Sequence, residues 1–292
     1  MSRSNAIHAL ELGGTLFVPA SHKDLKTILS GQKYPDLRSV VIDFEDGLAN
    51  SDREEALEHL DTTLENLHKT KLLRFIRPQN LQMLKAFMQD KNIEKIDGFI
   101  LPKFDLENAI EYLTLIQHFR FMPSIEGNEL FDIQKLQQLR EILIPYTEQL
   151  ICIRFGAQDM LRQLGLKQHG SIYDMLLPSH IVANLITTFK PHGFEISAPV
   201  YPDFSDTEGF LKEAAYELQN GLISKTIIHP IQIELMNKVY QISQKELDAA
   251  KQILSKSDGV FNLEGQMGER KTQNSWAKNI EKRLNIYGFR TQ

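Results

Sequence analysis

Two acids stand at the ends of two apolar runs. Glu126 closes Phe121-Met-Pro-Ser-Ile-Glu126, and Asp159 closes Ile151-Cys-Ile-Arg-Phe-Gly-Ala-Gln-Asp159. An apolar run that stops at small residues and then presents a carboxylate has the profile of a buried strand handing a functional group to its C-terminal loop. If both runs are neighbouring parallel strands, Glu126 and Asp159 stand at the same end of one sheet, where they could share a hard divalent cation. Mg²⁺ suits such a pair, because it takes few carboxylates, keeps several waters and leaves positions for substrate oxygens. The same two acids could instead cap the helices that follow, an ordinary task for an acid after a strand. No histidine pair at helical spacing suggests zinc.

Other apolar runs also end in polar groups: Asp43, Glu45 and Asp46, Arg77, Lys103 and His229. Arg77 precedes Pro78, which cannot donate to a ladder and so marks a strand end. Its planar fork could grip a substrate carboxylate or a developing enolate, or could form a salt bridge to Asp43 or Glu45; the spacing allows both. With regular alternation Asp43 and Glu45 share a face, suited to holding Arg77 or a metal-bound water. Lys103 could form a Schiff base only if buried and desolvated, and is otherwise a charge partner. His229 reads as a rim residue held by hydrogen bonds. Cys152, the one cysteine, lies inside an apolar run and reads as a small buried hydrophobe.

The elements that must position these groups recur in order. Apolar runs at 15–20, 39–46, 72–77, 96–103, 121–126, 151–159, 194–200 and 224–230 make eight candidate strands, separated by helical patterns such as 81–88, 181–189 and 206–218. Eight strand-helix repeats without a Gly/Pro-rich linker predict an α/β protein, a TIM (β/α)8 barrel spanning 1–232. A doubly wound sheet is the alternative, disfavoured because neither a G-x-G-x-x-G turn nor a Walker loop follows any strand. Residues 233–292 exceed what barrel closure needs and read as an appended C-terminal helical segment. Residues 166–174 read as a loop over the barrel mouth.

The chain has 292 residues, 42% hydrophobic and 24% charged, with a net charge of −5 and acids and bases interspersed. That balance argues against nucleic acid or an anionic membrane as partner. A single cysteine excludes a disulfide framework, and no apolar segment approaches the roughly 20 residues of a membrane span. The first eight residues lack an apolar core with a cleavage site, so the expected location is the cytoplasm.

Several motifs resemble, in order, the HpcH/HpaI aldolase and citrate lyase superfamily, in its citrate lyase β-subunit-like and malyl-CoA lyase branch. They are TLFVPA (15–20), VVIDFEDGLANSDREEA (40–56), RFIRPQN (74–80), GFILPK (98–103), PSIEG (123–127), IRFGAQDM (153–160), APVYPDFSDTEGF (198–210) and NGLISKTIIHPIQIELMN (220–237). GQMGER (265–270) and the terminal helix resemble the family's C-terminal segment. The resemblance implies a Mg²⁺-dependent carbon–carbon lyase on a TIM barrel. It puts Glu126 and Asp159 on the metal ligands, and Arg77 on the arginine that grips substrate oxygens. It implies that Gly156, Ala157 and Pro199 contact substrate, that Asp43 and Glu45 support the chemistry, and that Glu269 stands where relatives carry an aspartate offered to a neighbouring subunit. Two further departures are Gly13-Gly14, where relatives usually carry basic residues, and Arg77-Pro-Gln-Asn80 in place of Arg-x-Asn.

The expected function is therefore retro-aldol or retro-Claisen cleavage of a small hydroxy or oxo acid, or its CoA thioester, by a homo-oligomer (trimer or hexamer). The alternatives are a catalytically divergent barrel that binds a small carboxylate or serves as an assembly or biosynthetic accessory protein, and a Schiff-base aldolase using Lys103. Tail residues Leu254, Val260, Phe261, Trp276 and Leu284 need a surface to bury against, which a neighbouring copy could provide.

Overall fold

The structure is a computed structural model that describes residues 7–46, 48, 50–257 and 259–290. Gly47 and Ala49 of the acidic motif, and the first six residues, lie outside the described residues. The chain forms two compact units, Met1–Ile233 and Glu234–Gln292.

In the first unit seven parallel strands run β1 (Gly14–Pro19), β2 (Ser39–Asp43), β3 (Leu73–Arg77), β4 (Gly98–Leu101), β5 (Arg120–Ile125), β6 (Arg154–Phe155) and β7 (Lys225–Ile227). Their order in the sheet is β6-β5-β4-β3-β2-β1-β7. The β-branched run of β2 explains its central place: Val40, Val41 and Ile42 are fully buried, as in a strand covered on both faces. The predicted seventh strand, 194–200, joins the sheet only through single parallel bridges, Ile153 to Ile196 and Ala198 to Lys225. Hydrogen bonds from Ser197 N–H to the Ile153 carbonyl (2.8 Å) and from Thr226 N–H to the Ala198 carbonyl (3.1 Å) carry the ring from β6 to β7. Pro199 and Pro202 supply no N–H, so this stretch cannot extend a regular ladder. The fold is the expected TIM barrel, with one wall reduced to bridges.

Boundaries also shift at β2, which stops at Asp43, so Glu45 and Asp46 belong to the loop. The turn forms because the Asp43 carboxylate accepts from Glu45 N–H at 3.1 Å. Register aligns Pro19 with Asp43 and Asp43 with Arg77, so these three stand at one level of the C-terminal end. Outside the strands, residues 171–174 are tied to the outer helix Thr207–Gln219: Ser171 Oγ and Ile172 N–H donate to Glu213 at 2.7 and 3.1 Å, and the Tyr173 hydroxyl donates to Glu217 at 3.1 Å. Both glutamates also receive the fully buried Lys225 Nζ, at 2.9 Å from Glu213 and 2.6 Å from Glu217. Burial drives the Glu217 pKa well above the ordinary carboxylate value, against the pull of Lys225.

The second unit packs helices Gln244–Ser255 and Arg270–Tyr287 around Ile242, Leu247, Ala250, Ile253, Leu263, Ala277 and Ile280. It is not wholly helical, because β8 (Val260–Leu263) and β9 (Gln266–Glu269) form an antiparallel hairpin. Its turn places Glu264 and Gly265 at φ 51° and 86°, the left-handed pair that a two-residue hairpin requires. Leu254, Phe261 and Leu284 pack against this unit's own core, while Val260 and Trp276 are exposed. No described helix is long and apolar enough to cross a membrane.

Candidate active site

A cavity of about 370 Å³ opens among the C-terminal ends of the strands. Its wall includes Asp43, Arg77, Glu126 and Asp159, with Phe17, Arg154 and Thr226 further in. A second cavity, about 430 Å³, lies at the opposite end beside Arg74 and Lys95. There Arg74 donates to the Leu29 and His68 carbonyls, and Lys95 to those of Leu64 and Glu65, so both cations hold the scaffold. On a barrel of parallel strands the chemistry belongs to the C-terminal face.

Arg77 ends β3 and is fixed by three acids. Nε and Nη2 each lie 2.7 Å from an Asp43 carboxylate oxygen, Nη1 lies 2.7 Å from Glu45, and Asp46 is 3.5 Å away. Burial works against its charge, but these carboxylates outweigh burial and raise its pKa. Of the two roles open to Arg77 in the sequence, the salt bridges are present, and they hold the guanidinium in the cavity wall. Lys103 Nζ pairs with Glu45 at 2.8 Å and its side chain is 61% exposed. Its pKa is raised chiefly by that bond to Glu45. An exposed, strongly protonated amine lacks the desolvation a Schiff-base lysine needs, which removes that alternative.

Glu126 follows β5 and is buried. Its Oε2 has no hydrogen-bond partner. Burial, then the charge of Glu45, pushes its pKa up to about 7, with Ser124 and Arg77 acting in the other direction. Asp159 lies in the first turn of helix Ala157–Gln163, whose N-cap is Gly156, and is bonded to Arg162 at 2.9 Å, so it does not cap the helix that follows its strand. Gly156 brings the two acids together. A Cβ there would stand 2.7 Å from Glu126 Cγ and 3.2 Å from Asp159 Oδ2, so only glycine leaves that space open. Among the described residues no group of three or more His, Cys, Asp or Glu is clustered for a metal. Two carboxylates with an unpartnered buried oxygen fit an ion that keeps most of its waters.

Counting Asp43, Glu45, Asp46, Glu126 and Asp159 against Arg77, Lys103 and Arg162, the rim carries two uncompensated formal negative charges when all are ionised. A divalent cation would neutralise them.

The other expected residues divide. Gly156 and Ala157 line the cavity, whereas Pro199 is buried beside it and Val200 supplies the wall. Neighbours in extended backbone face opposite ways. Glu269 lies in the second unit at the end of β9, where its side chain accepts from Thr272 Oγ1 at 3.2 Å. His229 stacks on Phe204 at 4.5 Å and accepts from Ile231 N–H, a rim structure. Cys152 is buried, and burial pushes its thiol up to about 11.

Arg154 escaped the sequence reading. It lies on β6, is 3% exposed and lines the cavity. Among the described residues its nitrogens donate to neutral atoms alone: Met122 Sδ at 3.4 Å, Thr226 Oγ1 at 3.0 Å and Thr15 Oγ1 at 2.8 Å. The available signal was a charged residue inside the apolar run Ile151-Cys-Ile-Arg-Phe155.

Carboxylates and arginines thus converge from several strand ends on one cavity of a TIM barrel, as in an enzyme of that fold. The chain belongs to the family described as C–C bond lyases of the TIM-barrel fold, whose model matches residues 6–289. It is 24% identical to the citrate lyase subunit beta of Haemophilus influenzae over 86% of this chain and 90% of that protein. It is 25% identical to a (3S)-malyl-CoA thioesterase of Cereibacter sphaeroides over 73% of this chain and 72% of that one. Among solved structures, protein CitE from Mycobacterium tuberculosis, in complex with magnesium, acetoacetate and coenzyme A, has a TM-score of 0.70 at 20% identity. That match covers 95% of this chain and 99% of the other. The M. tuberculosis citrate lyase beta subunit complexed with oxaloacetate and magnesium has a TM-score of 0.60, also at 20% identity, over 80% of this chain and 98% of that one.

Proposed function

We propose that this barrel is a Mg²⁺-dependent lyase that cleaves a carbon–carbon bond of a small hydroxy or oxo acid, or of its CoA thioester. The observation that carries the reading is the buried, unpartnered Oε2 of Glu126, on a side chain that flanks, together with the Asp159 carboxylate, the space left open at Gly156. Glu126 and Asp159 would hold the cation, which when bound supplies Lewis-acid stabilisation of negative charge on substrate oxygens. The related structures from M. tuberculosis, complexed with magnesium and acetoacetate or oxaloacetate, support this assignment.

The chain's own groups have separate tasks. Arg77, locked by Asp43 and Glu45, presents its fork without having to reorganise as an enolate develops on the departing fragment. Gly156 and Ala157 let substrate approach the backbone closely. Ser124 and Thr226 line the wall with hydroxyls that can orient oxygens. Glu269 would act as the acid offered to the barrel of another copy in a homo-oligomer.

Titration with a 2-oxo acid such as oxaloacetate, with and without Mg²⁺, tests the reading; no Mg²⁺-dependent binding of any small oxo or hydroxy acid would overturn it. Arg77→Lys keeps the charge but loses the planar fork, so it should weaken that binding at least tenfold, about 1.4 kcal/mol, with metal affinity nearly unchanged. Equal loss of both would mark Arg77 as scaffold. The role of Glu269 is checked by mixing inactive Asp159→Ala and Glu269→Ala proteins under subunit exchange. Partial return of activity is the expected outcome, and a dead mixture with exchange confirmed by mass removes the role in trans.

A further inference from the structure

Barrel interiors are normally filled with apolar layers, yet the interior between β1, β6 and β7 is polar. Thr15 is the hub. Its Oγ1 accepts from Arg154 Nη2 at 2.8 Å and from Ser39 Oγ at 2.9 Å, and lies 3.3 Å from Ser224 Oγ. Thr226 takes the other Nη of Arg154 at 3.0 Å. A guanidinium has five N–H groups. Three are engaged here, by two hydroxyls and a thioether, and none of those acceptors is charged. Among the described residues the cation is therefore desolvated without a counter-ion, an arrangement that is unfavourable unless something anionic completes it. Burial lowers the Arg154 pKa, and the charge of Arg77 adds to that effect.

Position gives this cation its meaning. In the register, Thr15 pairs with Ser39 and Pro19 with Asp43, so the Thr15 level lies four residues below the Arg77 level, roughly 13 Å along the strand. The Phe17 ring stands between these levels in sequence, 5.2 Å from the Arg77 guanidinium and 5.6 Å from that of Arg154. Both arginines and Phe17 line the same 370 Å³ cavity. The cavity thus has an acidic rim suited to a cation and a cationic inner wall with no acid of its own.

We infer that Arg154 is a specificity-determining residue that receives a second carboxylate of the substrate, so that the acid cleaved here is a small dicarboxylate. This rests on the proposed function, in which the rim engages the first, metal-bound end of the same molecule. The unused N–H groups of Arg154 donate to the second carboxylate while Thr15 and Thr226 keep the guanidinium in place.

The test compares malate with 2-hydroxybutyrate, which share the 2-hydroxy acid head and differ by a carboxylate against a methyl group. Binding of each to the full-length protein is measured by calorimetry in Mg²⁺. Wild type is expected to prefer malate by tenfold or more. Arg154→Gln, which removes the charge and keeps a polar side chain, should reduce that ratio to within about twofold by weakening malate and not 2-hydroxybutyrate. Arg154→Lys should retain part of the preference. An unchanged ratio in the glutamine variant overturns the inference, as does a wild type that binds both acids equally, a result that stands even if the variants do not fold. A wild type that binds neither acid overturns this inference, and oxaloacetate titrated in Mg²⁺ then separates the two failures: binding of oxaloacetate leaves the proposed function standing, and no binding removes both.

Discussion

Glu126→Gln and Asp159→Asn should each abolish the Mg²⁺-dependent rise in thermal stability and lower kcat by on the order of 10³-fold, about 4 kcal/mol of transition-state stabilisation. Each substitution keeps the shape of the side chain and removes one charge from the two-acid pair, so the fold is retained. Calorimetry showing unchanged Mg²⁺ affinity in both variants would end the metal assignment. Proton and cation compete for Glu126, so Mg²⁺ affinity should climb as pH rises through about 7. The sign for stability of the metal-free protein is opposite. Burial raises the folded-state pKa above the ordinary 4.5, so the unfolded chain ionises first, and stability is lost as pH rises from 4.5 to about 7. Glu126→Gln should have a shallower slope across that window than the wild type, the rest coming from other buried acids such as Glu217, and urea melts at several pH values would show it.

Lys225→Met is the largest expected stability effect. It removes the cation that Glu213 and Glu217 share in a fully buried cluster, leaving two carboxylates facing each other without compensation. Breaking such a cluster from one side costs roughly 3–5 kcal/mol. Because burial already drives Glu217 toward its protonated form, the loss should be larger at pH 9 than at pH 6. Adding Glu217→Gln should recover part of it. Equilibrium denaturation that finds less than about 1 kcal/mol at pH 9 would show that the cluster does not depend on the lysine charge. The same variant should loosen residues 171–174, which are bonded to these glutamates.

Much of the barrel was legible in the chain because a parallel strand covered on both faces must be apolar throughout and must end where polar groups begin. That rule located all seven ladder strands and put Asp43, Arg77, Glu126 and Asp159 at strand ends or just beyond them. It failed at 194–200, where apolar character was present but prolines withheld the donors, so the chain closes the ring with bridges. It also passed over the hairpin at 260–269, whose Glu264-Gly265 turn was a usable local signal.

Other features depended on which side chains the closed ring brings together. Sequence spacing could place Glu126 and Asp159 at one end of a sheet. That Gly156 holds the gap between them open follows from the backbone of the loop after β6. Arg77 could be read as a fork or a salt bridge, and only the register of β2 against β3 shows that the salt bridge to Asp43 forms. Arg154 and Lys225 both sit within apolar runs, where a charge is conspicuous but its partner is not. Strand alternation decides their fates: Lys225 meets two glutamates of an outer helix, and Arg154, a residue of β6, meets threonines of β1 and β7. The order of residues determined the barrel and the ends of its strands, because burial and donor supply act locally along the chain. The pairing of charges was decided by tertiary structure, because it depends on groups 139 residues apart, as Arg154 and Thr15 are, meeting inside one ring.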